Sequence, residues 1–196
     1  MKNKKLSVII KISILSAMAF ILYLFEFPLP IFPGFLKIDI SDLPAMLGGF
    51  ALGPTAGIII QLLKNVLHIL IRGSSTAGIG ELANFIVGAA MVAASAALYK
   101  NNKSKKNAAI SLTAGVLVMT LVASVANYYV FLPLYESALH FPIEAMVSEG
   151  AKVSGLVKDF NSFVVYSILP FNLLKGLIVA VITFLSYKKL SPILHK

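Results

Sequence analysis

Long apolar runs, each close to the length of a membrane-spanning helix, alternate with short polar segments along this chain. A helix needs about 20 residues to cross the roughly 30 Å hydrocarbon core of a bilayer. Runs of about this length cover residues 6–27, 79–99, 108–132 and 164–187, and a longer run covers residues 43–71. The pattern predicts an all-α integral membrane protein.

The run 43–71 is too long for one straight span, and Gly53-Pro54 interrupts it. Proline cannot continue a helix without losing a backbone hydrogen bond, so the pair predicts a turn between two helices. With a cytoplasmic N-terminus, two crossings here place the lysines of 100–106 and 188–189 inside, as the positive-inside rule favours. We therefore predict a single membrane domain, residues 1–196, as a six-transmembrane-helix bundle with N- and C-termini cytoplasmic, its spans being 6–27, 43–53, 54–71, 79–99, 108–132 and 164–187.

Composition supports the membrane assignment. The chain is 58% hydrophobic and 13% charged, with a mean hydropathy of +0.89, whereas soluble domains are about 25% charged. The net charge of +9 comes from lysines at segment ends, and they do not form a stripe interleaved with aromatic residues, so binding to nucleic acid is not indicated. The absence of cysteine excludes thiolate chemistry, and no phosphate-loop motif is present.

Two of the predicted outer connections are unusual. Residues 26–41 are rich in Pro and Phe and are too apolar for an ordinary solvated linker. Residues 133–163 form a longer acidic segment, with a short surface helix expected near 143–157.

Polar side chains inside the predicted spans gather toward the outer half of the bundle. Such residues are costly in a bilayer and usually face a cavity or another helix. A pathway through the membrane would need polar groups along its whole length, so this distribution predicts a pocket open to the exterior. The residues concerned are Gln61, Lys64, Asn65, His68 and Arg72 on one face, Glu81 and Asn84, Asn127, and Asn172 with Lys175.

Asn127, Asn172 and Lys175 together offer donors and acceptors that suit a flat heterocycle with carbonyls and ring nitrogens. The alternative is that the two asparagines only join helices by hydrogen bonds. Glu81 is expected to pair with Lys64 or Arg72.

Two further features bear on binding partners. The three histidines share no ligand spacing, so no metal site is predicted. Ser13 and Ala17 give the first span a small-x-x-x-small face. That face suits either internal packing or docking of a separate membrane protein.

Three segments carry a resemblance to a known family: DISDLPAMLGGFALGPTAGIIIQLLKNVLHILIRG (39–73), GELANFIVG (80–88) and PFNLLKG (170–176). Over essentially its whole length, the chain resembles the riboflavin-specific substrate-binding (S) subunits of energy-coupling-factor (ECF) transporters. The resemblance implies an S-component-like fold in the bacterial plasma membrane that binds extracellular riboflavin and has no enzymatic activity or cofactor of its own. It also implies a transmembrane coupling protein and two ABC-type ATPases as partners, with the ATPases using the ATP.

The resemblance also implies roles for particular residues. The family uses two asparagines and a lysine to bind the flavin ring, which match Asn127, Asn172 and Lys175. Its first outer loop closes over the ligand, and here that loop is followed by Leu43 and Met46. We expect the ribityl hydroxyls to meet Glu81, Asn84 or Asp39. The family docks its coupling protein through an Ala-x-x-x-Ala motif on the first helix, matched here by Ser13 and Ala17.

Three alternatives remain open from the sequence. An S subunit for thiamine, biotin or folate would share the fold and partners. An independent secondary transporter would need an ion-coupling carboxylate, for which Glu81 is the candidate. An intramembrane enzyme would need a constellation of nucleophile, base or metal, and none is evident.

Overall fold

The chain is built almost entirely of helices. A computed structural model describes residues 2–195, with side chains described from residue 5 to residue 189. In this range two π-helical turns, Asn127–Phe131 and Val164–Ile168, lie within longer helices, and two short strands, β1 (Phe27–Pro28) and β2 (Lys37–Ile38), pair antiparallel. The α-helices are α1 (Lys2–Tyr23), α2 (Asp42–Leu52), α3 (Pro54–Arg72), α4 (Ile79–Asn101), α5 (Lys105–Ala126), α6 (Leu132–Leu139), α7 (Ile143–Val153), α8 (Phe160–Phe163) and α9 (Leu169–His195).

Five helical stretches within the described residues are long and apolar enough to cross a membrane. They are Lys5–Tyr23, Pro54–Arg72, Ile79–Asn101, Lys105–Leu139 and Phe160–Lys189. Helix α2 is apolar but has only 11 residues, which at 1.5 Å per residue extend about 16 Å. It lies at the centre of the bundle, where Ala45 and Met46 are fully buried.

The core joins α2 to α1, α4, α5 and α9. Leu15, Met46, Met91, Met119 and Val179 belong to one buried apolar cluster. Large apolar side chains are also exposed around the outside of the bundle, for example Leu70, Leu121 and Leu185. An apolar exterior is the arrangement expected of helices surrounded by lipid.

The first outer connection is a short hairpin and not a continuation of the helix. Helix α1 ends at Tyr23, before the predicted end of the span at residue 27. The prolines at 28, 30 and 33 explain the difference, since none can continue a helix. Strands β1 and β2 bring Glu26 and Lys37 together in a salt bridge of 2.9 Å. The connection is therefore a β-hairpin held by a salt bridge at one end of the bundle.

Helices α5 and α9 are extended through π turns to give longer helical stretches than the sequence predicted. The first π turn is followed by Leu132-Pro133 and the second by Leu169-Pro170. A proline in a helix cannot donate to the carbonyl four residues earlier and its ring crowds that carbonyl. In both cases that carbonyl lies inside the π turn, which relieves the crowding by widening the helix. Helix α7 ends at Val153, short of the expected 157.

Helices α2 and α3 meet at Gly53, which has φ 104° and starts α3 together with Pro54 at the first helical position. Gly57 on α3 then lies against α2 and α4. A Cβ atom at Gly57 would lie 2.3 Å from Val92 Cγ1 and 2.9 Å from the Ala45 carbonyl oxygen. The glycine is what permits this close approach.

We predict that Gly57→Ala lowers the thermal melting temperature of the purified protein in detergent. Overpacking costs about 1–3 kcal/mol, which exceeds the gain of about 0.5–1 kcal/mol from replacing a helical glycine. Gly34→Ala is the matched control, since a Cβ there meets nothing within 4 Å. Equal melting temperatures for the Gly57→Ala and Gly34→Ala proteins would contradict the packing argument.

Candidate ligand-binding site

One end of the bundle contains a cavity of about 280 Å³. The cavity lies between the β1–β2 hairpin, α2, α4, the two π turns and the start of α9. Apolar surface comes from side chains such as Phe35, Leu36 and Phe171, and polar surface comes from charged, amide and hydroxyl side chains. Apolar walls with a few convergent polar groups are typical of sites for small organic ligands.

Most of the polar residues singled out from the sequence line this cavity. They are Asp39, His68, Glu81, Asn84, Asn127, Asn172 and Lys175. Leu43 and Met46 are not among its lining residues, because Asp42 is the α2 residue that faces it. Met46 is fully buried in the bundle core and Leu43 packs against the same core.

Asn127 and Asn172 are oriented by identical local hydrogen bonds. Asn127 Nδ2 donates to the Ala123 carbonyl at 2.8 Å, and Asn172 Nδ2 donates to the Ile168 carbonyl at 2.9 Å. A carbonyl can only accept, so each amide must turn its nitrogen toward the helix. Each side chain keeps its Oδ1 and one N–H for a ligand. Asn127 is the first residue of the first π turn, and Asn172 lies in α9, four residues after the end of the second.

Lys64 does not line the cavity, but it is hydrogen-bonded to two residues that do, Asp42 and Asn84. Lys64 is fully buried on α3, and its ammonium donates to Asp42 Oδ1 at 2.7 Å, to Asn84 Oδ1 at 2.8 Å and to Ser41 Oγ at 2.9 Å. An ammonium has three hydrogens, so these three bonds saturate it. Gln61 Nε2 also donates to Asp42 Oδ1, at 2.8 Å.

Lys175 forms the second buried ion pair. Its Nζ donates to Asp39 Oδ2 at 2.8 Å and lies 3.7 Å from Asp42 Oδ2. Asp39 Oδ1 accepts from both the backbone N–H and the hydroxyl of Ser41. The Ser41 hydroxyl in turn accepts from Lys64.

The two ion pairs therefore form one ring of side chains: Lys64, Ser41, Asp39, Lys175 and Asp42. It contains two cations and two anions, so it carries no net formal charge. Buried ion pairs are tolerated only when geometry is good and the remaining polar atoms are satisfied. We name these five residues the ion-pair ring. It ties the loop before α2 to α3 and α9.

Sequence reasoning named Lys64, Lys175 and Asp39 but missed Asp42, Ser41 and the way in which these residues pair. The expectation that Glu81 pairs with Lys64 or Arg72 was wrong, because Lys64 pairs with Asp42 across α2 and α3. Arg72 instead donates to the Leu24 carbonyl at 3.3 Å. The available signal was the position of two acids, Asp39 just before an apolar helix and Asp42 at its first residue.

Glu81 holds the α3–α4 connection. Its Oε1 lies 3.1 Å from His68 Nδ1, and its Oε2 accepts from Ser74 Oγ at 2.7 Å and from Thr76 Oγ1 at 3.4 Å. The His68 ring stacks on Tyr23 with a centroid distance of 4.2 Å. The carboxylate therefore forms a wall of the cavity that is already hydrogen-bonded.

The predicted docking positions lie on an exposed face of α1. Ser13 and Ala17 are both exposed, and the Ser13 hydroxyl donates to the Ile9 carbonyl of its own helix at 3.0 Å. The neighbouring Ile14 and Met18 are also exposed. This face of the helix is consequently not used for packing within the bundle.

Comparison with protein families identifies a match over nearly the whole chain. Residues 7–187 match the family described as the ECF transporter, substrate-specific component. A solved structure described as the S component of a bacterial ECF transporter superposes with a TM-score of 0.75 at 35% identity, with 100% of both chains covered.

Curated relatives match over similar lengths. The riboflavin transporter FmnP of Bacillus subtilis is 41% identical over 193 residues, which cover 98% of this chain and 94% of that protein. The riboflavin transporter RibU of Staphylococcus aureus is 38% identical over 195 residues, covering 100% of this chain and 94% of that protein.

Proposed function

This chain belongs to the family of ECF transporter substrate-specific components, and we propose that its cavity captures riboflavin for import. It is a multi-pass protein of the bacterial plasma membrane that serves transport and not catalysis. The observation that carries the assignment of the site is the convergence of Asn127, Asn172 and Lys175 on one cavity with apolar walls. Full-length relatives described as riboflavin transporters support the choice of ligand.

The polar edge of the flavin ring presents a carbonyl, an N–H and a second carbonyl in sequence. An amide side chain complements such an edge, because its oxygen accepts from the N–H while its nitrogen donates to a carbonyl. Asn127 and Asn172 retain both functions after bonding their own helices. In the proposed complex Lys175 donates to a ring carbonyl, and Phe35 and Phe171 cover the apolar part of the ring.

The ribityl chain is assigned to the other polar residues of the cavity. Asn84 and Asp39 are proposed to meet its hydroxyls, and Glu81 does so through the lone pairs not used by His68, Ser74 and Thr76. Leu43 and Met46 then support the site from the core, since neither lines the cavity.

The proposed topology has six spans, with α2 as the short second span and both termini cytoplasmic. The lysines at 100, 103, 105 and 106, and those at 188 and 189, then lie on the cytoplasmic side, as the positive-inside rule favours. The cavity opens at the opposite end of the bundle and so faces the exterior.

The import step is assigned to partners of the ECF module. In this proposal a transmembrane coupling protein docks on α1 at Ser13 and Ala17, and two ABC-type ATPases supply the energy from ATP. The exposure of this face supports the assignment, because small residues allow another helix to approach closely.

Titration of the purified protein with riboflavin tests the ligand directly. We expect the flavin fluorescence to be quenched to saturation at one ligand per chain, with no competition from thiamine, biotin or folate. Competition by one of those vitamins would reassign the ligand. Riboflavin uptake by the reconstituted chain alone, without ATPases, would support a secondary transporter.

We predict that Asn127→Ala and Asn172→Ala each raise the Kd for riboflavin by about tenfold, the effect of losing roughly 1.4 kcal/mol of hydrogen bonding. Asn65→Ala is the matched control. Its Nδ2 makes the same bond to the carbonyl four residues earlier, Gln61 O at 2.8 Å, but Asn65 does not line the cavity. A similar loss of affinity in all three proteins would trace the effect to the helices and not to the ligand.

We predict that Ala17→Trp abolishes riboflavin uptake in cells with the complete ECF module but leaves the Kd of the isolated subunit unchanged. The indole blocks close approach of a partner helix to α1. Ile110→Trp serves as control, since Ile110 is 54% exposed on α5, away from the proposed docking face. Normal uptake by the Ala17→Trp protein would place the docking surface elsewhere.

A further inference from the structure

The two lysines of the ion-pair ring differ in how their hydrogens are used. Lys64 donates to three oxygen atoms and is fully buried. Lys175 has one short contact, to Asp39 Oδ2 at 2.8 Å, and its 3.7 Å separation from Asp42 Oδ2 is too long for a hydrogen bond. Lys175 therefore has hydrogens left for a ligand in the cavity that it lines.

Asp42 lies between the two lysines, and its two carboxylate oxygens face different lysines. Its Oδ1 accepts from Lys64 and Gln61, whereas its Oδ2 is buried without a hydrogen-bond partner among the described residues. That oxygen faces Lys175. Without the Lys64 ammonium, Asp42 would be a buried carboxylate whose nearest cation is Lys175.

We propose that Lys64 is a positioning residue for Lys175. By neutralising Asp42, Lys64 prevents that carboxylate from capturing the Lys175 ammonium, which stays available to the ligand. Lys64 thus affects ligand binding without lining the cavity, and it does so by neutralising the charge of Asp42. The inference rests on the proposed binding of riboflavin at this cavity.

The central test is suppression of one substitution by another. Lys64→Met removes the cation and leaves Asp42 charged, so Lys175 moves onto Asp42 and the Kd for riboflavin rises by about tenfold or more, the loss of one charge-assisted hydrogen bond. Lys64→Met/Asp42→Asn also removes the charge that attracts Lys175. The double variant is expected to bind riboflavin at least about threefold more tightly than Lys64→Met alone, because substitutions at two coupled sites are not additive.

The affinities are measured by flavin fluorescence quenching on protein that elutes as a single species in detergent. Gly57→Ala is the control for lost stability, because it disturbs the packing of α3 against α2 and α4, and Gly57 does not line the cavity. It should lower the melting temperature and leave the Kd unchanged. If Lys64→Met does not fold, Lys64→Gln and Lys64→Gln/Asp42→Asn make the same comparison with a donor amide retained.

Two binding results would overturn the proposal. One is an unchanged Kd in the Lys64→Met protein. The other is a double variant as weak as the single one, which would mean that Lys64 acts through another contact, such as its bond to Asn84.

A crystal structure of ligand-free Lys64→Met protein provides a readout that does not need riboflavin. The Lys175 Nζ to Asp42 Oδ2 distance should shorten from 3.7 Å to about 2.8 Å, a charge-assisted hydrogen bond. An unchanged distance contradicts the positioning role. If the unmodified protein fails to bind riboflavin, the proposed function fails, while this distance still decides the role of Lys64.

Discussion

The buried ion pairs between Lys64 and Asp42 and between Lys175 and Asp39 are the constraint on which the site depends. Charges at this depth are stable only when each has a partner, and the partners come from four separate parts of the chain. Their pairing fixes the start of α2, the loop that precedes it, α3 and α9 relative to one another. The cavity lies beside these elements. The same ion pairs therefore determine both the shape of the cavity and the charges that line it.

The two π turns also contribute to the shape of the site, and both occur in the same short sequence motif. Residues 127–133 read NYYVFLP and residues 164–170 read VVYSILP, so both contain Tyr-x-x-Leu-Pro. In each segment the proline forces a wider turn before it, and an asparagine that lines the cavity lies at the start of the first turn or just after the second. The helical stretches thus continue past both prolines, and each carries an asparagine that lines the cavity.

Apolar periodicity and charge placement predicted the helical class from the sequence, and polar residues within apolar runs indicated where Asn127, Asn172 and Lys175 meet. What could not be predicted depends on three-dimensional pairing. Lys64 has acids at several distances along the chain, and spacing alone cannot show that it bonds Asp42 and not Glu81. Leu43 and Met46 likewise lie on α2 beside Asp42, but only the rotation of that helix shows that they face the core.

The shortness of α2 has a consequence for the path of a bound molecule. Its first residue, Asp42, lies at the cavity and its last, Leu52, lies about 16 Å further on, roughly half the thickness of the hydrocarbon layer. Below the cavity the aromatic rings of Phe50, Tyr99 and Tyr187 stack and cross at 4.1–5.9 Å between centroids. A vitamin bound against Asp42, as proposed above, would therefore lie about one length of α2 from the far end of that helix, with this aromatic cluster between the two.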